Sequence, residues 1–282
     1  MKNTIMEKIP AFLALLGLDE MPMGILYTDA QPAAGLSPKP SVLPTCERES
    51  CNAINWGEVF GNFSCVMGHI WRARRKKTAA YFSAEQFGCP GGAFWLGFMK
   101  PQTETIIRYV SSGIPGHMEG ELYCESPDAL RKTFLDIDPP QIGKKFWVIK
   151  PLDLFAPDEL PEFVTFFTRA EPLTGLHQLA YFVSNDPEVV ASPWGAACAG
   201  LGTWPLKYRL MGKNRAVIGG WDISARKFFR NDELSFTVPF EMFEQMLLRG
   251  ESSFLCRENW NGPVRKKIAR SRSLWEKNRT DL

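Results

Sequence analysis

Cysteine and histidine are the residues of this sequence whose types and spacing bear on chemistry. Cys65 and His69 stand four apart in an apolar helical pattern, so both side chains project from one helix face. A thiolate and an imidazole so placed can ligate one metal ion, although the same pair also reads as core packing with one satisfied hydrogen bond. Cys89 is followed by Pro90-Gly91-Gly92. Proline suits the first position of a helix, and the two glycines let backbone amides approach a ligand, placing the thiol where the helix dipole lowers its pKa. The alternative is a tight turn or close helix packing around an inert small hydrophobe. Cys198 comes after Ser192-Pro193, a cap followed by a first helical residue, in a corresponding place further along.

Were the surrounding halves to pack about a pseudo-twofold axis, Cys65, His69, Cys89 and Cys198 would form a mixed site for an iron-sulfur cluster, zinc or another soft metal. No Cys-x-x-Cys pair adds to that expectation. The expected ligand-binding set is Cys89, Gly91, Gly92 and Cys198 with Asp222 and Arg226. The last two lie four apart at a helix start, where Asp222 caps and Arg226 pairs with it or with a carboxylate or phosphate of a ligand. Lys150 ends an apolar strand, a common place for ligand sites in α/β sheets and equally for a solvated lysine. Cys46 and Cys51 stand five apart beside a Pro-rich loop as extra ligands, a redox pair or unrelated surface thiols. His117 and His177 have no sequence neighbours that make a case. The chain contains no Gly-x-Ser-x-Gly, His-Glu-x-x-His, Gly-x-Gly-x-x-Gly or Walker-type motif, so the standard hydrolase, zinc protease, dinucleotide and P-loop readings lack support.

These residues need elements to hold them. The chain has 282 residues, 45% hydrophobic and 23% charged, with 9 Trp and 20 Phe, enough apolar surface for a sizeable core. Periodicity and punctuation predict helices over 8–16, 66–75, 90–98, 127–135, 158–168, 174–182, 193–199, 224–229 and 240–248, and strands over 78–82, 146–149, 215–219 and 234–238. That alternation implies an α/β (or α+β) fold with helices covering a sheet. A weak internal echo runs through it. Ala79-Ala80-Tyr81-Phe82, Cys89 and a strand ending at Pro151 are followed by Leu179-Ala180-Tyr181-Phe182, Cys198 and a strand ending at Pro239. The echo suggests two half-repeats packed as one large domain, 46–170 and 171–250, between an N-terminal helix and loop over 1–45 and a basic tail over 251–282.

Seven cysteines scattered through the chain are unlike the dense disulfide framework of a small secreted domain, and reduced thiols in a cytoplasmic setting fit better. No apolar stretch approaches the roughly 20 residues of a bilayer span. Net charge is +2, with +5 in Cys256–Leu282 and −3 in the rest. That tail and the run Arg72-Ala73-Arg74-Arg75-Lys76-Lys77 are possible phosphate contacts, but a solvated surface and a helix C-terminus account for them more simply, so nucleic acid is the weaker partner reading.

Leu16-Gly17-Leu18, Met21-Pro22-Met23-Gly24-Ile25, the Cys65 helix ending in Arg72-Ala73-Arg74, the segment Cys89-x-Gly-Gly-Ala-x-x-Leu-Gly, and Ala225-Arg226 before Val238-Pro239 resemble the bacterial and archaeal family known as domain of unknown function 169. The resemblance spans about Leu13 to Leu248 and implies a cytoplasmic prokaryotic protein without implying a reaction. The expected function is binding of a small molecule or cofactor in a cysteine-lined cleft, with thiolate- or metal-dependent redox or transfer chemistry if the protein is an enzyme. The alternative is a non-catalytic ligand sensor or interaction module, with Phe94-Trp95 and Trp194 forming an apolar pocket and the cysteines in structural roles. Association into homo-oligomers is left open.

Overall fold

The computed structural model describes residues 2–40, 55, 61–99 and 104–270. Its strands are β1 (Met23–Thr28), β2 (Ala80–Ser83), β3 (Phe146–Pro151), β4 (Phe163–Thr168), β5 (Val190–Ala191), β6 (Ala216–Gly219) and β7 (Leu234–Pro239). The principal helices are α1 (Lys2–Leu16), α2 (Val66–Lys76), α3 (Pro90–Trp95), α4 (Glu104–Val110), α5 (Pro127–Ile137), α6 (Ala170–Ser184), α7 (Thr203–Leu210) and α8 (Phe240–Arg249). The strands join in the order β2-β3-β1-β4-β7-β6-β5, so helices and a seven-stranded sheet give the expected mixed α/β architecture. The chain divides into two compact units. The first contains Met1–Leu26 and Ile149–Leu282, and the second contains Tyr27–Val148.

In the first unit β4 pairs antiparallel with β1 and β7, placing Thr165 opposite both Met23 and Thr237. The helix predicted over 158–168 is therefore corrected to a strand. Pro161 biases the preceding residue away from helical backbone, and Phe163-Val-Thr-Phe-Phe-Thr has no polar face. All six residues are buried, which suits a central strand covered on both sides. Val164, Phe166, Phe236 and Val238 pack with α1, α6 and α8 through Phe12, Leu16, Leu179 and Phe243. Helix α8 follows directly from Pro239, and its buried Phe240, Phe243 and Leu247 recur at helical spacing. The opposite face of β4 and β7 also holds small polar residues: Thr165 Oγ1 and Thr237 Oγ1 are 3.0 Å apart, while buried Ser235 Oγ has no hydrogen-bond partner among the described residues.

The beginning of the basic C-terminal stretch is part of this core. Trp260 is buried, and its Nε1 donates to the Leu15 carbonyl at 2.8 Å. Gly175 makes room for it, since a Cβ there would stand 2.6 Å from the indole. The stretch 271–282 lies outside the described residues.

The second unit has an aromatic core of its own. Phe94 packs at a tilt against Trp95 and Phe134, each at 4.6 Å between ring centroids, and Phe82 lies 5.8 Å from Trp147. Phe94 and Trp95 are thus core residues, while Trp194 of the first unit is exposed. Helix α5 begins as its sequence dictates: Ser126 Oγ accepts the Ala129 N–H, and Pro127 takes the first helical position. Glu104 on α4 receives Arg108 at 3.1 Å and Arg131 of α5 at 2.6 Å. The internal repeat is not confirmed. The Tyr-Phe quartet of 79–82 enters strand β2, but that of 179–182 is a turn of helix α6.

Candidate functional site

Cys89 sits at the start of α3 in extended conformation, and its Sγ accepts the Gly92 N–H at 3.3 Å. The residue is partly exposed. Gly91 and Gly92 differ sharply. A Cβ on Gly91 would make only ordinary contacts, 3.7 Å to Trp95 Cδ1 and 3.9 Å to Cys89 Sγ. A Cβ on Gly92 would stand 2.4 Å from Val66 Cγ2 and 2.5 Å from the Phe87 carbonyl oxygen, so glycine is required for packing there.

The start of α2 adjoins this turn. Ser64 N–H donates to the Gly88 carbonyl at 2.9 Å, and Gly88, at φ +82°, takes a conformation disfavoured for other residues. Cys65 is the N-cap of α2 but makes no side-chain cap bond. One residue earlier, Ser64 Oγ lies 2.8 Å from His69 Nε2. This links the residue before the cap to the fourth helical residue, a polar counterpart of the hydrophobic staple. Arg72 Nη2 is 3.4 Å from both imidazole nitrogens. Burial first, then the Arg72 charge, pushes the His69 pKa down from 6.5 to about 4. His69 is therefore a neutral imidazole over the physiological range and a weak base, which favours a structural role over activation of Ser64.

Near Cys89 stands a pair that sequence reasoning missed. Tyr109 Oη, on α4, donates to Glu121 Oε1 at 3.3 Å. Burial, then the Glu121 charge and hydrogen bond, with smaller contributions from Tyr123 and Cys89, push the Tyr109 hydroxyl up to about 12. It is a proton-bearing donor at neutral pH. The loop between the two residues folds back because of glycine: a Cβ on Gly113 would stand 2.2 Å from the Met118 carbonyl, and one on Gly120 would stand 2.1 Å from that of Ser111. Glu121 N–H then donates to the Tyr109 carbonyl at 2.7 Å. The loop encloses an open concavity of about 500 Å³ lined by Ile114, His117, Met118 and Leu122 among others. The only sequence signal was a Gly-rich loop beside a tyrosine.

The remaining candidates divide between the units. Cys198 lies in the first unit, buried in a 3-10 turn over Ala197–Gly200. Asp222 Oδ2 accepts the Ala197 N–H at 3.3 Å, while Asp222 Oδ1 accepts from Ser224 N and Oγ. Arg226 donates to the carbonyls of Gly220, Arg230, Asn231 and Glu233, clamping the loop before β7. Lys150 Nζ meets Glu159 Oε2 at 2.5 Å. Cys46 and Cys51 lie outside the described residues. Among the described residues no group of three His, Cys, Asp or Glu side chains is arranged to hold a metal ion, and a guanidinium beside His69 opposes a cation there. No helix of the described residues is long and apolar enough to cross a membrane.

Fold and site define a mixed α/β protein of two units, with a sulfur-capped helix start in the second. The chain belongs to the family of domain of unknown function 169, described as uncharacterised ArCR, whose model matches residues 11–249. No curated protein and no solved structure matches the chain.

Proposed function

We propose that the second unit binds a small molecule at the Cys89 turn, with the thiol as the reactive group and the Tyr109 hydroxyl, held by Glu121, as a hydrogen-bond donor. The observation that carries this reading is that Cys89, a partly exposed residue, accepts the Gly92 N–H on its sulfur. A thiolate is the nucleophilic form of cysteine, and an N–H aimed at sulfur favours a charged acceptor over a neutral one. Tyr109 adds a neutral donor close enough for Cys89 to act on it electrostatically. Reaction with an electrophilic carbon would form an Sγ–C bond, expel that carbon's leaving group and release the thiol proton to solvent.

The test is the pH-dependent rate of Cys89 alkylation by iodoacetamide in the wild type and in Tyr109→Phe. We expect a rate at neutral pH about tenfold above that of an unstructured cysteine peptide, and a changed pH profile in the variant. A rate equal to or below the peptide's would refute the reading. The second reading is a binding module in which Cys89 serves only as a helix cap. The packing demand at Gly92 favours it, and it accounts for a slow thiol combined with intact folding.

A further inference from the structure

We propose that an indole-rich, cation-flanked face of the first unit binds single-stranded nucleic acid. It is independent of the Cys89 site and separate in sequence from the basic stretch after Cys256. Three segments meet in it. Trp221 Nε1 donates to Ser192 Oγ at 2.8 Å, and Trp204 Nε1 donates to the Trp194 carbonyl at 2.9 Å. These bonds join residues 192–194, helix α7 and residues 221–223. Trp194 is 44% exposed, Trp221 52% and Ile223 73%, where apolar side chains of this size are ordinarily covered.

Charge selects the partner. Residues 192–194, 203–215 and 221–228 contain six basic residues and one acidic residue, Asp222, whose carboxylate accepts backbone N–H groups. Arg209 pairs with Glu162 and Glu241, Arg215 with Glu188, and Arg226 holds backbone carbonyls, so the positive charge offered to a partner is that of Lys207, Lys213 and Lys227. Lys207 Nζ lies 5.7 Å from the Trp204 ring centre, and the Arg215 guanidinium lies 5.5 Å from that of Tyr208. Trp204 and Tyr208 lie one turn apart with ring centres 5.9 Å apart. A second copy docked by the same face would set cation against cation. The occupant is therefore anionic.

The tryptophans indicate which anion. At a membrane interface an indole keeps its N–H for the wet headgroup side, but here the N–H groups of Trp204 and Trp221 are committed to the protein. Such pinned indoles offer ring faces, and a planar base can stack on a ring face whatever its sequence. The exposed Lys213 and Lys227 stand along the same segments to meet the phosphates.

The test uses the full chain and fluorescence anisotropy of a labelled oligothymidylate of about 15 nucleotides, titrated at several salt concentrations. We expect binding that Trp221→Ala weakens about tenfold. The double variant Lys213→Gln, Lys227→Gln should lower the slope of log affinity against log salt by about 1.4. Neither substitution touches a buried position, and circular dichroism confirms that each variant is folded. Three results would overturn the proposal: no oligonucleotide binding at low salt, binding indifferent to both variants, or adsorption to phosphatidylserine vesicles without oligonucleotide binding. Indifference to both variants would assign the affinity to the basic stretch after Cys256.

Discussion

Cys89 and Cys198 each have a glycine two residues on, and in sequence they look like counterparts. Their surroundings separate them. Cys89 is partly exposed and its sulfur accepts the Gly92 N–H at the start of a helix, with Tyr109 nearby. Cys198 is 5% exposed in a turn positioned by Asp222, where Gly200 packs so tightly on β6 that a Cβ would stand 3.2 Å from the Gly219 Cα. A cysteine–glycine pairing therefore marks a candidate site in one place and close packing in the other. Exposure and the partner of the sulfur decide which.

The largest expected effect sharpens that contrast at the glycines. Gly92→Ala should destabilise the protein by about 3 kcal/mol, because the added methyl meets a backbone carbonyl that cannot move away. Gly200→Ala should cost less, about 1 kcal/mol, since its nearest neighbour lies farther off. Urea denaturation of both variants measures the difference, and the reverse order would break the comparison.

Acid probes the support beneath the Cys89 turn. Unfolded His69 takes up a proton near pH 6.5, whereas the folded residue does so only near 4. Between these values the unfolded chain binds more protons, so stability falls as pH drops from 6.5 towards 4, by up to about 3 kcal/mol. His69→Gln should flatten that dependence in urea melts taken across the window, and an unchanged slope would show that other groups carry it.

Smaller effects follow from polar atoms and open space. Ser235→Ala should change stability by less than about 1 kcal/mol, because its hydroxyl has no hydrogen-bond partner among the described residues. A greater loss by calorimetry would reveal a bond at that hydroxyl. Gly91→Ala should be neutral or stabilise by about 0.5 kcal/mol, since the position is helical and open. Thermal denaturation checks it, and a loss like that of Gly92→Ala would erase the distinction between the two glycines.

Elements that carry their own punctuation were legible in the sequence. Helix α5 declared itself by Ser126-Pro127, α8 by its spacing after Pro239, and β7 by its apolar run, each with its start matched and its end within two residues. Strand β4 was not, because a short, wholly buried run of aromatic and β-branched residues has no period to separate a buried strand from a buried helix. The echo failed for a related reason: Tyr-Phe after a small residue fits a strand edge or a helix turn, and tertiary surroundings choose. Of the site, Cys89 and its helix start could be read from Pro90-Gly91-Gly92. Tyr109 and Glu121 could not, since they meet only through a loop folded back at Gly113 and Gly120. Arg226 looked like a ligand group because a guanidinium that serves four carbonyls has the same sequence as one that serves an anion.

The measurement bearing most directly on the Cys89 site is competitive alkylation of the native protein with isotope-coded iodoacetamide, followed by peptide mapping. Cys89 should label at least about tenfold faster than Cys198, with Cys198 protected until urea unfolds the chain. Equal labelling, or a Cys89 as protected as Cys198, would contradict the distinction on which the proposed site rests.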